Sequence, residues 1–181
     1  MSISKTDLKF ISQSRAAGAE SHDPTRKVGA VIVGNGGQPL ATGTNRPPDA
    51  LHLSLSDSLG AIEKDKNWKY FMLEHAERNA ISKAHDLGHE IKGTTIYGTL
   101  FPCAACARAI AEAGIKRAVF PAPDQNNPRN EKWTDDFNYA EQIFKLANIR
   151  LDFYVEEKNE ASGQNSQEGS DSTPVLLHPV P

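Results

Sequence analysis

Thr94-Thr95-Ile96-Tyr97-Gly98-Thr99-Leu100, then Phe101-Pro102, then a run from Cys103 to Ala113 stopped by Gly114, is the stretch whose reading decides the fold. Its first part is rich in β-branched and aromatic residues and reads as a strand. Its second part is an alanine-rich helix with glycine as its C-terminal stop. Downstream, Arg117 to Phe120 reads as a strand, Thr134 to Ala147 as a helix and Arg150 to Val155 as a last strand, with a polar loop from Pro121 to Lys132. Upstream, a helix starts near His75, runs to about Asp86 and stops at Gly88. Val28 to Val33 and Leu40 to Thr44 flank the turn signal Asn35-Gly36-Gly37 and form a hairpin. Ser4-Lys5-Thr6-Asp7 has the form of a capping box and opens a first helix that reaches Ala19. The segment from Arg46 to about Lys69 is irregular and reads as a long loop holding a helical turn or short helix.

The resulting order, α-β-β-α-β-α-β-α-β, predicts an α/β fold with three α/β/α layers around a mixed sheet. At 181 residues the chain suits one domain with an extension. Residues 1–155 form that domain in this reading. Residues 156–181 form a polar, acidic tail with an apolar, proline-rich end, too poor in apolar surface over most of its length to offset chain entropy.

No apolar run approaches the roughly 20 residues of a membrane span, which excludes that class. The N-terminus lacks the pattern of a secretory leader, so the expected compartment is the cytoplasm. The formal charge of −3 is unevenly placed: the tail has five acids against Lys158 and carries −4, leaving +1 for the domain. A near-neutral domain with 7% aromatic residues lacks the basic stripe and stacking platforms of a nucleic-acid track.

Two short segments carry chemistry: His75-Ala76-Glu77 and Pro102-Cys103-Ala104-Ala105-Cys106, each at the start of a predicted helix. Alone, the cysteine pair fits a redox couple, half of a structural metal site or two buried thiols. Together, His75, Cys103 and Cys106 supply the three protein ligands of a catalytic zinc, with a fourth position left for water. Cysteines at i and i+3 share a helix face, and two helix N-termini aimed at the metal favour anionic ligands. Glu77 is then free to move protons. A structural site would need a fourth ligand from His22, His52, His85, His89, His178 or a carboxylate.

His-x-Glu followed by Pro-Cys-x-x-Cys is the signature of zinc-dependent base deaminases. With Ser21-His22-Asp23-Pro24, Val28-Gly29-Ala30, His75 to Ile81, Thr99 to Ala107 and Ala113-Gly114-Ile115, the chain resembles the cytidine and deoxycytidylate deaminase superfamily over roughly Leu8 to Val155, closest to its deoxycytidylate branch. The resemblance implies a five-stranded mixed sheet and hydrolytic deamination of a small aminated pyrimidine, dCMP to dUMP by preference. In that chemistry a zinc-activated hydroxide attacks the ring and Glu77 shuttles protons. It further implies that the Ala76 N–H meets the ring carbonyl, that Asn45 meets a sugar hydroxyl, and that the protein is a homo-oligomer, a dimer or a hexamer.

Arg26 with Lys27, or Arg129 and Lys132, are the candidates for holding a phosphate. Two departures keep a free base, a nucleoside, another aminated heterocycle and a tRNA adenosine deaminase-like activity as alternatives. Thr44-Asn45-Arg46-Pro47 replaces the aromatic-Asn-Gly-x-Pro loop of the nucleotide enzymes, and Glu74 adds a negative charge beside His75.

Overall fold

The structure is a computed structural model that describes residues 3–123, 127–156 and 174–175. Helix α1 (Lys5–Ala19) opens as the sequence predicts: Ser4 accepts from the Asp7 N–H while the Asp7 carboxylate accepts from the Ser4 N–H, a complete capping box. Strands β1 (Gly29–Val33) and β2 (Pro39–Thr44) form the hairpin. Helix α4 (Ala76–Asp86), β3 (Thr95–Gly98), α5 (Ala104–Glu112), β4 (Arg117–Pro121), α6 (Thr134–Leu146) and β5 (Arg150–Glu156) follow within a residue or two of their expected limits.

The segment read as a long loop with a helical turn or short helix holds more helix than that. It holds a 3-10 turn (Asp49–Leu51), a ten-residue helix α2 (Leu55–Lys64) and a short helix α3 (Trp68–Met72). Helix α2 has its own capping box, Ser54 with Asp57. Its apolar residues Leu55, Leu59 and Ile62 recur at i, i+4 and i+7 and form one stripe, buried at Ile62 and exposed at Leu55 and Leu59; Leu51, Leu53 and Leu55, at every second residue just before it, obscure that helical period in the sequence. Likewise, the end of the loop after β4 is a 3-10 segment (Pro128–Trp133).

The strand order is β2-β1-β3-β4-β5, with β1 antiparallel to both neighbours and β3, β4 and β5 parallel. This is the expected five-stranded mixed sheet. A two-residue strand β6 (Pro174–Val175) adds to the end of β5. The rest of the tail, 157–173 and 176–181, lies outside the described residues, as does the side chain of Glu156.

Alternation along the strands sends side chains to two cores. Val31, Val33, Tyr97, Val119 and Tyr154 pack with Phe10 and Ile11 of α1 on one face. Ala30, Ile32, Ile96, Ala118 and Phe120 pack on the other with the alanines of α4, Ile110 of α5 and Phe137 and Phe144 of α6. Two successive crossovers of one hand, β3-α5-β4 and β4-α6-β5, place α5 and α6 together on that second face. The N-termini of α4 and α5 are thereby brought side by side.

Candidate metal and substrate site

The first turn of α4 is fixed from several directions. Gly43 of β2 lies beneath it, and a Cβ there would stand 2.2 Å from the Ala76 carbonyl oxygen and 2.4 Å from the Ala80 nitrogen. The Glu74 N–H donates to the Arg46 carbonyl at 2.9 Å, and Asn79 Nδ2 donates to the carbonyls of Thr44 at 2.8 Å and Arg46 at 3.1 Å. The end of β2 therefore grips the residues before and after His75.

His75 is the N-cap of α4 and Cys103 the N-cap of α5, both with extended backbone, and neither side chain caps its own helix. Both side chains are free to converge. His75 Nδ1 stands 3.6 Å from Cys103 Sγ and 3.4 Å from Cys106 Sγ. Tetrahedral zinc with ordinary Zn–S and Zn–N bonds separates such ligand atoms by about 3.6 Å, so the three residues fit the ion. Among the described residues no other cluster of three or more His, Cys, Asp or Glu side chains offers a metal site. His22, weighed above as a fourth ligand, instead meets Ser58 Oγ through its Nδ1 at 2.7 Å. His178 lies outside the described residues.

Electrostatics favour a cation here. The hydrogen bond from Cys106, together with His75, pulls the Cys103 thiol down to about 3 against the opposing effect of burial. Cys106 is pushed up by that same bond and by burial, so the two sulfurs share one proton. A coordinating dication removes that proton as well. His75 is raised, chiefly by its bond with Cys103. Glu77 is 3% exposed, and burial raises its carboxyl above the ordinary value. A proton carrier for neutral-pH chemistry needs that direction of shift.

These groups open onto a cavity of about 800 Å3. His75, Ala76, Glu77 and Cys103 lie on its walls, with Leu100, Phe101, Trp133 and Phe137 as apolar and aromatic lining. Trp133 presents its ring edge-on to His75, centroids 6.4 Å apart. The structure brings Asn45 and Arg26 to the same cavity. It does not bring Lys27, which is exposed and absent from the walls. The expectation for Arg129 concerns a side chain outside the described set, although its backbone belongs to the Pro128–Trp133 segment.

Asn45 is heavily engaged by the protein. Its Oδ1 accepts from Ser21 Oγ at 2.5 Å and the Val28 N–H at 2.9 Å, and its Nδ2 donates to the Arg26 carbonyl at 2.8 Å. One amide proton is left for a ligand. Glu74 corrects another expectation. Its carboxylate is bonded to Arg78 and the His75 N–H and does not line the cavity, so it presents no bare charge to an anionic substrate.

Several cavity residues were not evident from the sequence. Asp23 is held by four groups: the N–H groups of Thr25 and Arg26, the Thr25 hydroxyl and Lys69. Burial raises its carboxyl, but these partners together hold it below the usual aspartate value. Lys69 and Tyr70 stand on α3, which begins at the end of the segment expected to be a long loop with one helical turn or short helix.

Comparison with known proteins agrees with the geometry. Residues 4–122 match the family model of the cytidine and deoxycytidylate deaminase zinc-binding region. The mouse deoxycytidylate deaminase is 30% identical over 140 residues, 77% of this chain and 74% of that protein. An uncharacterised deaminase of Aliivibrio fischeri is 30% identical over 149 residues, 82% of this chain and 93% of that protein. The fold matches the dCMP deaminase of cyanophage S-TIM5, solved with dCMP and dUMP, at a TM-score of 0.61 and 24% identity, covering 83% of this chain and 99% of that one. Three converging ligands of zinc geometry, a buried carboxylate beside them and a family match over most of the chain lead to one conclusion: this protein belongs to the cytidine and deoxycytidylate deaminase family and is a deaminase acting on a C–N bond.

Proposed function

We propose that this deaminase hydrolyses the exocyclic amine of a pyrimidine nucleotide, with dCMP as substrate and dUMP and ammonia as products. The observation that carries the chemistry is Glu77, buried at the cavity wall beside His75, Cys103 and Cys106. The substrate class is supported by similarity to the mouse deoxycytidylate deaminase and by the loss of the electrostatic objection once posed by Glu74.

When bound, zinc supplies a Lewis acid that acidifies water to near neutrality; His75, Cys103 and Cys106 would hold it. The Glu77 carboxylate takes a proton from the attacking water and passes it to the ring nitrogen next to the amine-bearing carbon. It then carries the second proton of that water to the departing amine, which leaves as ammonia while the carbonyl forms. Burial of Glu77 keeps this proton traffic away from bulk solvent. The Ala76 N–H, in a helix turn whose donors lack intrahelical acceptors, is available to orient the ring carbonyl. The remaining Asn45 amide proton is available to a sugar hydroxyl. Leu100, Phe101, Trp133 and Phe137 exclude water around the base.

The test is ammonia release across dCMP, CMP, deoxycytidine, cytosine, aminated purines and triazines, and adenosine-bearing tRNA. The proposal expects dCMP to show the largest kcat/KM. A larger value for a free base, a nucleoside or tRNA would replace it. Two sequence expectations accompany the proposal, a homo-oligomer and a cytoplasmic location, checked by light scattering and by cell fractionation. No described helix is long and apolar enough to cross a membrane.

A further inference from the structure

Among the described residues the cavity carries three lysine and arginine side chains, Arg26, Lys69 and Lys132, and they differ in what holds them. Lys69 Nζ reaches Asp23 Oδ1 at 3.1 Å, Asp23 Oδ2 at 3.0 Å and Thr25 Oγ1 at 2.7 Å. An ammonium has three protons, so Lys69 is saturated. Its charge is matched by a buried carboxylate, and a second anion placed there would face Asp23 as well as Lys69. Arg26 is engaged with Asn130. Lys132 is held otherwise: its Nζ lies 4.8 Å from the centroid of Tyr70 and 5.4 Å from that of Trp133. Among the described residues it has no hydrogen-bond acceptor and no ion-pair partner, and Glu131, next to it in the chain, is not paired with it.

Cation–π contact positions an ammonium without using up its protons on a strong acceptor. Tyr70 comes from α3 and Trp133 from the 3-10 segment after β4, so Lys132 spans two walls of the cavity. The adjacent indole N–H of Trp133 is also buried without an acceptor. One short segment thus offers an ammonium and an N–H donor, neither satisfied by protein.

We propose that Lys132 is the specificity-determining cation of this enzyme. Held over Tyr70 and Trp133, it reads the phosphate of the nucleotide, while the Lys69–Asp23 pair is closed to that role. The proposal rests on reading the substrate as a nucleotide. It assigns the phosphate to the wall formed by α3 and the 3-10 segment and away from the Ser21–Lys27 loop, where Lys27 is turned out of the cavity.

The test is calorimetric binding of dUMP and of deoxyuridine to the zinc-loaded full chain at fixed ionic strength, for wild type, Lys132→Met and Lys132→Arg. A binding measurement needs no turnover, so it is separate from the failure of dCMP deamination that would overturn the functional reading. The expected result is that wild type prefers dUMP, that Lys132→Met lowers the dUMP-to-deoxyuridine preference by about tenfold or more, and that Lys132→Arg keeps most of it. A wild type without preference for the phosphate, or a Lys132→Met protein that keeps the wild-type preference, overturns the proposal.

Discussion

Gly43 lies so close beneath Ala76 that a methyl group on residue 43 would come within 2.2 Å of the Ala76 carbonyl oxygen. The contact is with backbone, which cannot rotate away as a side chain can. Helix α4 must shift if residue 43 gains a side chain, and His75 and Glu77 shift with it. Gly43→Ala is expected to destabilise the fold by about 1–3 kcal/mol and to weaken metal retention. Zinc content after dialysis against a graded chelator series checks the second effect; retention equal to wild type would contradict it.

Asp7 is the centre of a charged cluster on the opposite face of the sheet. It accepts from Arg117 Nη1 at 2.6 Å and from the Tyr97 hydroxyl at 2.7 Å, while Arg117 Nε donates to Asp152 at 2.7 Å. Arg117→Met leaves two buried carboxylates with one cation fewer and should cost about 3 kcal/mol. Urea unfolding measures it.

The same cluster sets an acid limit. Burial alone would raise the Asp7 carboxyl, but Arg117, Ser4 and Tyr97 hold it far below the ordinary aspartate value. A carboxyl depressed in the folded state contributes stability above its unfolded pKa of about 4, and that contribution is lost as pH falls toward the folded value. Wild-type stability should therefore drop steeply below about pH 4, and Asp7→Asn, less stable at pH 7, should show a shallower drop. Parallel slopes in urea titrations from pH 7 to 3 would contradict this.

Lys69 and Asp23, 15% and 10% exposed, tie α3 to the loop after α1. Removal of either charge strands the other in a poorly solvated wall. Asp23→Asn and Lys69→Met should each destabilise by about 3 kcal/mol, and the double variant by little more than one of them. Additive losses in a double-mutant cycle would show that the two side chains act independently.

Trp133 and Trp68 are the two tryptophans, and Trp133 is edge-on to His75. In Trp68→Phe protein, removing zinc should change the remaining emission and restoring it should reverse the change. An unchanged spectrum would place Trp133 away from the metal.

Why the chemistry was legible and part of the fold was not follows from range. His75 and Glu77, Cys103 and Cys106 are local pairs whose spacing and helix-start positions can be read from the chain, and the ligands do stand at the N-terminal ends of α4 and α5. The strands and helices that carry them have strong periodicity and clear stops. Helix α2 carries a readable capping box and an apolar stripe of Leu55, Leu59 and Ile62, but Leu51, Leu53 and Leu55 recur at every second residue at its start and blur the helical period. Substrate-wall residues depend on contacts between distant segments. Lys69 meets Asp23 across 46 residues, and the Asn45 amide is shared among Ser21, Arg26 and Val28. No local spacing announces such contacts, and adjacency in sequence does not separate Arg26, on the cavity wall, from Lys27, which is exposed and off it.

The central claim is that Glu77 moves the protons of a zinc deaminase. Its most direct test is ammonia release from dCMP by zinc-loaded wild-type and Glu77→Gln proteins, with metal content measured on the same samples. The account predicts one zinc per chain in both and a loss of rate of about 10²–10⁴-fold in the variant. A Glu77→Gln protein that keeps its zinc and releases ammonia at the wild-type rate would contradict it.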